Sequence, residues 1–353
     1  MHLLRKLAGY VLFALSAPIA KEYFVDIGFV DRFVRDCRSV FLAAARVLIV
    51  FLVLHASGGC NPVGKGDPSQ RRYPLRVLCT TGMIADAVRA VGGPQVEVEQ
   101  LLPPGVDPHL YRPSARDKWR INAADVVFFN GLRLEGRLEP LLVRRSRWMP
   151  VFAVTDVLRR DCPERLRPLD DNSGILDPHV WLELELWIRC VDFIAECLAS
   201  VDPAHAASYR QRAQLYQAEL RQLDEYARSR LRAIPEERRM LVTTHDAFGY
   251  FARRYGLSVA TLQGLSTVDE IDLVTMNLLI EELVARRVPA VFVENSVSPR
   301  ALEAVVAGCR ARGHQLKIGG MLYADCLGLP GSPGETFLGA FRHNVDTIAE
   351  ALR

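Results

Sequence analysis

Pro104-Gly105-Val106-Asp107-Pro108-His109-Leu110-Tyr111 decides how the chain is read, and Asp177-Pro178-His179-Val180-Trp181 echoes it seventy residues on. Each stretch places a histidine directly after Asp-Pro and directly before an apolar residue. Proline fixes its own φ and biases the residue before it towards extended backbone. Each Asp-Pro-His is therefore a stiff loop that presents one imidazole in a set direction. Ligands ordered in advance lose less entropy on binding, which is what a metal site requires. A third candidate is His245 in Val242-Thr243-Thr244-His245-Asp246-Ala247-Phe248, just past an apolar strand-like run. Asp325, in Gly319-Gly320-Met321-Leu322-Tyr323-Ala324-Asp325, is the fourth. We expect these four side chains to converge on one divalent transition-metal ion.

Around these loops the sequence alternates between strand and helix. Leu75 to Cys79 reads as a buried strand, Met83 to Val91 as a helix stopped at Gly92-Gly93, and Val96 to Leu102 as a strand delivering His109 beyond its end. Ser114 to Ala123 has helical spacing, while Ala124 to Phe129 and Pro150 to Val154 read as strands. From Asp202-Pro203 to Ile234-Pro235 no glycine or internal proline occurs, and Leu215, Leu220, Leu223, Tyr226 and Leu231 form an apolar stripe. Thirty helical residues span about 45 Å, enough to link two lobes while restricting their relative motion. The alternation then restarts, with strands at Met240 to Val242, Val259 to Leu262, Ala290 to Val293 and Gln315 to Ile318. Helices are expected at Ala247 to Tyr255, Ile271 to Arg287, Arg300 to Arg312 and Thr336 to Leu352.

Such a pattern predicts an α/β fold of two similar α/β lobes with parallel sheets, joined by a long linking helix. The expected divisions are a leader over 1–60, a tether over 61–74, a first lobe over 75–201, the linking helix over 202–235 and a second lobe over 236–353. His109 and His179 fall in the first lobe, His245 and Asp325 in the second. Ligands of open parallel sheets bind beyond the carboxyl ends of strands, so the metal site is expected in the inter-lobe cleft.

The first sixty residues differ from the rest. Phe41 to Leu54 is a fourteen-residue apolar run interrupted only by Arg46, preceded by Arg35 and Arg38 and followed by Ser57-Gly58-Gly59-Cys60. A membrane span needs about 20 apolar residues, so the run fits the core of a secretory signal better. The small residues before Cys60 look like a bacterial lipoprotein signal, with Ser57 standing where such signals usually carry leucine. Lipidation at Cys60, an exported periplasmic location and a lipid anchor in a membrane are the expectations. Leu7 to Ala20 is a second apolar run. It is read either as sequence preceding a later translation start, such as Val34 or Val40, or as an extra membrane-inserting segment.

With 44 basic and 41 acidic residues in 353, the net charge of +3 gives no reason to expect a nucleic-acid partner. Of the eight cysteines, Cys37 and Cys60 belong to the leader, and no Cys-x-x-Cys pair occurs, so neither a thiolate zinc site nor a redox motif is indicated. Cys79 and Cys309 lie in apolar context and read as packed thiols. Cys190 and Cys197 share one helix face but lie too far apart along it to pair.

Several motifs then resemble one family, the solute-binding subunits of bacterial zinc and manganese ABC transporters. They are Thr80 to Asp86, Gly105 to His109, Asn130 to Gly136, Asp177 to Trp181, Thr244 to Phe248, Glu294 to Pro299, Leu322 to Asp325 and Arg342 to Asn344. The resemblance covers about Leu75 to Arg353. It implies two α/β lobes joined by one long helix, with metal ligands at His109, His179, His245 and Asp325. It also implies a monomer that passes one Mn2+ or Zn2+ ion, as cargo, to a membrane permease served by a cytoplasmic ATPase. Some manganese-associated members carry glutamate at the position of His245. Zinc-specific members often carry a His-rich loop between the first two ligands, and no histidine lies between His109 and His179 here.

Imidazole suits zinc, manganese, iron, nickel and copper, whereas calcium and magnesium prefer all-oxygen sites. A monodentate Asp325 makes a four-coordinate site suited to zinc, and a bidentate one suits manganese better. The missing His-rich loop tilts the expectation towards manganese. Asp107, Asp177 and Glu294 are expected outside the ligands, shaping turns or orienting an imidazole, with Trp181 and Tyr111 walling the site from water. His343, His205 and His314 are read as structural or surface residues. The competing class is an exported zinc-dependent hydrolase, which needs an open coordination position and a general base; no His-Glu-x-x-His or Gly-x-Ser-x-Gly occurs. A metal-binding surface adhesin would be a property added to capture, not a rival chemistry.

Overall fold

The computed structural model describes residues 73–168, 174–264, 267 and 273–353. The leader, Cys60 and most of the 61–74 tether lie outside the described residues. Strand β1 (Leu75–Cys79), helix α1 (Gly82–Gly92) and strand β2 (Val96–Gln100) open the chain. Next come α2 (Ala115–Ala123), β3 (Val126–Phe129), α3 (Glu139–Arg145), β4 (Val151–Ala153) and α4 (Asp156–Asp161). The four strands form a parallel sheet in the order β2-β1-β3-β4, with Leu75 beside Val96 and Val127 beside Val151. Ser114 starts α2 with a capping box: its hydroxyl accepts from the Asp117 amide at 3.2 Å, and the Asp117 carboxylate takes the Ser114 amide at 2.7 Å. Such a box satisfies two donors that a helix start otherwise leaves unpaired.

Helix α5 (Leu184–Val201) leads into the long α6 (Ala206–Arg232). Strands β5 (Met240–Thr243) and β6 (Ser258–Thr261), flanking α7 (Gly249–Tyr255), pair in parallel. Helix α8 (Leu273–Ala285), β7 (Ala290–Glu294), α9 (Arg300–Ala311), β8 (Lys317–Leu322) and α10 (Phe337–Ala351) complete the chain, and β7 pairs with β8 in parallel. Two α/β halves with parallel strands, joined by a long helix, are thus the architecture.

At 27 residues α6 spans about 40 Å. Its buried face is Tyr209, Ala213, Tyr216, Leu220, Leu223, Ala227 and Leu231, a 3-4 spacing that keeps one stripe inward. Leu215 was expected in that stripe and is 62% exposed; it lies one position, about 100° of helix, off Tyr216. Polar ties from α6 reach both halves. Arg212 donates to the carbonyls of Val91 and Gly92 at the end of α1, and the Tyr216 hydroxyl donates to Asp86. Further along, Arg254 and Tyr255 of α7 donate to Asp224, and Tyr226 and Arg230 donate to Asp346 of α10. One hydrophobic core runs from Val77 and Phe128 of the first sheet past Leu220 to Phe292 and Phe341.

Strand β8 extends four residues beyond the expected Ile318, through Gly319-Gly320. Those glycines let α10 approach: a Cβ on Gly319 would stand 2.6 Å from the Ala351 Cβ, and one on Gly320 2.5 Å from the Thr347 methyl. The six described cysteines, Cys79, Cys162, Cys190, Cys197, Cys309 and Cys326, are buried and free. Among the described residues no helix is long and apolar enough to cross a membrane.

Candidate metal centre

Both Asp-Pro-His loops fold in the same local way. The Asp107 carboxylate accepts the His109 amide at 2.8 Å, and the Asp177 carboxylate accepts the His179 amide at 3.0 Å. Aspartate two residues before an amide makes this turn readily, and the intervening proline has no amide to compete. His109 follows the β2 strand end and the left-handed Gly105 (φ 80°). His179 stands just before α5, His245 just after β5, and Asp325 three residues after β8.

The four side chains meet. Their candidate ligand atoms lie within 4.8 Å of one another, and all four residues are buried. His109 Nε2 is 3.3 Å from His179 Nε2 and 3.5 Å from Asp325 Oδ2. His179 Nε2 is 3.3 Å from Asp325 Oδ1, and His245 Nε2 is 3.2 Å from Asp325 Oδ2. Neither oxygen of Asp325 accepts a well-formed hydrogen bond, although the residue is 1% exposed. Three imidazole nitrogens and a carboxylate crowded together out of water are a costly set of charges and dipoles that a bound cation would compensate.

Carboxylates behind the rings set their orientation. His179 Nδ1 lies 2.7 Å from Asp177 Oδ1, and His245 Nδ1 lies 2.5 Å from Glu294 Oε2. A carboxylate is an acceptor only, so it keeps the proton on Nδ1 and leaves Nε2 to point at the cluster. Glu294 Oε1 also accepts the amides of Thr244 (2.8 Å) and His245 (3.0 Å). Asp107 acts differently, holding the His109 backbone while its other oxygen accepts from Thr267. Trp181 is buried with its ring centroid 5.3 Å from that of His179, and its Nε1 donates to the Ala324 carbonyl at 3.0 Å. Tyr111 does not wall the cluster: its hydroxyl donates to Asp117 at 2.7 Å and its ring packs under the first sheet with Leu101 and Phe129.

Titration follows the surroundings. Burial holds His109 down to about 4. Burial also opposes protonation of His179, but Asp325 and Asp177 outweigh it and raise the ring to about 9. His245 is likewise raised well above its ordinary value, against burial, by Glu294 and Asp325. Asp325 is held well below the carboxylate range, again against burial, by His245 and His179.

Three partners escaped the sequence reading. Arg167 bridges Asp177, at 2.7 Å, and Asp246, so the first half's ring-orienting carboxylate is tied to the residue after His245. Asn295 brackets Asp325: its Nδ2 donates to the Cys326 carbonyl at 3.0 Å, and its Oδ1 accepts the Ala324 amide at 3.4 Å. The Cys326 thiol takes the Gly105 amide at 3.2 Å. Only Asn295 left a sequence signal, standing beside Glu294 in a motif already singled out. His343 and His314 bond the backbone carbonyls of Met321 and Val288, and His205 contacts Asp202, all away from the cluster.

Residues 77–351 match the profile of the family described as zinc-uptake complex component A, periplasmic. The chain belongs to this family. It is 40% identical over 304 residues to the manganese-binding lipoprotein MntA of Bacillus subtilis, covering 86% of this chain and 97% of the relative. The zinc-binding protein TroA of Treponema pallidum is 38% identical over 296 residues, covering 84% and 94%. TroA's solved structure, titled a periplasmic zinc-binding protein, superposes with a TM-score of 0.75 over 79% of this chain and 99% of TroA. The component A fold thus accounts for the two α/β halves and the long helix between them.

Proposed function

We propose that this chain is the extracytoplasmic solute-binding subunit of an ABC importer, capturing one divalent transition-metal ion and delivering it to a membrane permease with a cytoplasmic ATPase. The observation that carries the proposal is the buried convergence of His109, His179, His245 and Asp325, whose candidate ligand atoms lie within 4.8 Å of one another. Membership in the component A family and likeness to manganese- and zinc-binding relatives support it. Asp177, Glu294 and Trp181 orient or shield the ligands, and Asp107 shapes the His109 turn. Capture is stoichiometric, without turnover.

The cargo is manganese or zinc. Manganese is favoured because Oδ1 faces His179 while Oδ2 faces His109 and His245, an orientation suited to bidentate binding and more than four ligand atoms. Zinc binds any such nitrogen and oxygen set more tightly than manganese, so availability outside the cytoplasm contributes to the choice. Lobes 75–201 and 236–353, with 202–235 between them, hold the ion as two jaws. Because α6 is tied to both, release proceeds by loosening of the loops around His245 and Asp325, not by wide rotation. Lipidation at Cys60 tethers a monomer to the membrane. The test of capture is metal content and affinity: one ion per chain, lost on Asp325→Ala. Hydrolysis of a generic ester abolished by His109→Ala would contradict a purely binding role.

A further inference from the structure

Glu135 has no exposed surface and, among the described residues, no cation beside it. The other buried carboxylates each face an arginine or a histidine. What Glu135 has instead are three donors: the Thr80 hydroxyl at 2.8 Å, the Asn130 amide at 2.5 Å and the Gly131 amide at 3.2 Å. Thr80 follows β1 and Asn130 follows β3, so the carboxylate sits at the strand ends of the first sheet, in the layer where the ligands lie.

The loop wound around it is unusual in its backbone. Gly131, Leu132, Arg133 and Gly136 all have positive φ, two of them without being glycine. Such conformations persist only where the surroundings over-determine them, and here two amides converge on one carboxylate, Asn130 on Oε1 and Gly131 on Oε2. Both ends of the loop then touch ligand-bearing segments. Asn130 Nδ2 donates to the carbonyl of Pro178, the residue before His179, at 3.0 Å. At the other end Gly136 lies against the His109 carbonyl, where a Cβ would come within 2.7 Å.

We propose that Glu135 is the positioning residue of the first half: its carboxylate fixes the 130–136 loop, and that loop sets the backbone of both His109 and His179. The inference rests on the metal-capture reading above. Glu135 touches no metal ligand itself, so it acts on the ion only through the geometry of two imidazoles. Glu135→Gln keeps the shape but presents an NH2 to the Gly131 amide in one orientation and to the Thr80 hydroxyl and Asn130 amide in the other, so the loop must shift.

The full-length protein, its Glu135→Gln variant and an Asn130→Ala variant are titrated with cobalt(II), whose visible d–d absorption reports ligand number and geometry. Each apo protein's unfolding midpoint is measured alongside. Glu135→Gln is expected to bind cobalt at least about tenfold more weakly, the scale of a lost outer partner, with an altered d–d spectrum. An affinity within about threefold of wild type, or weaker binding with an unaltered spectrum, overturns the proposal, whatever happens to the unfolding midpoint. Should Glu135→Gln fail to fold, Asn130→Ala decides, since it cuts the tie to Pro178 while leaving the carboxylate's amide donors. About tenfold weaker binding with a changed spectrum supports the role, and wild-type behaviour overturns it. A wild-type protein that binds no cobalt sinks the capture reading itself, a result distinct from either.

Discussion

Replacing Glu294 by glutamine tests whether the ring-orienting carboxylates set metal affinity. One oxygen lies 2.5 Å from His245 Nδ1, and the other accepts the amides of Thr244 and His245. In Glu294→Gln either orientation of the amide sets an NH2 group against donors. With the carbonyl oxygen turned to the two backbone amides, the NH2 faces Nδ1, which must give up its proton to accept. The proton then sits on Nε2, the atom 3.2 Å from Asp325 that points into the cluster. With the carbonyl turned to Nδ1, two backbone amides lose their acceptor in a site that is 3% exposed. Loss of such an outer partner costs about 10–100-fold in metal affinity, or roughly 1.4–2.7 kcal/mol. Competition against a chelator of known affinity, with the unfolding midpoint of the apo protein as control, reads the effect. Affinity within about twofold of wild type would refute the tautomer argument.

Other consequences follow from the same geometry. An entering ion must displace protons from His179, raised to about 9, and from His245, raised well above its ordinary value. Metal affinity therefore climbs with pH below about 9, by about two logarithmic units per pH unit near neutrality, which isothermal titration across about pH 6 to 8 would show. Trp181→Phe keeps the ring against His179 but removes the bond to the Ala324 carbonyl; the ion should dissociate faster in stopped-flow chelation with little change in apo stability. Leu220→Ala removes a fully buried side chain from the α6 stripe and should cost about 2–5 kcal/mol in denaturant unfolding. Because Leu220 does not touch the cluster, affinity of the folded protein should stay as in wild type.

How much of this was legible in the sequence depended on how local each device is. The Asp-Pro-His turns are closed by a carboxylate two residues from the amide it binds, so both could be read before any fold was known. Alternating strand and helix gave the α/β class, and the glycine-free run over 202–235 gave the long helix, which is α-helical over Ala206–Arg232 because Pro203 leads in with a 3-10 turn. Long-range partners were not readable. Arg167 reaches Asp246 across 79 residues of sequence, and nothing in either local context names the other. Tyr111 follows His109 by two residues, yet its direction is set by Asp117 at the start of α2. Gly319-Gly320 looked like the end of a strand; the glycines instead let α10 lie close upon one that continues. Leu215 was misplaced because the stripe was read at only roughly helical spacing: it stands five residues before Leu220, about 140° of helix away, and is 62% exposed.

The central claim is that four buried side chains hold one transition-metal ion. Its most direct test is to strip the purified protein of metal and titrate it with zinc and with manganese beside an Asp325→Ala control. The account predicts one tightly held ion per chain, zinc bound more tightly than manganese, and loss of stoichiometric binding of both in the control. Failure of the wild-type protein to bind either ion stoichiometrically, or full binding by Asp325→Ala, would contradict it.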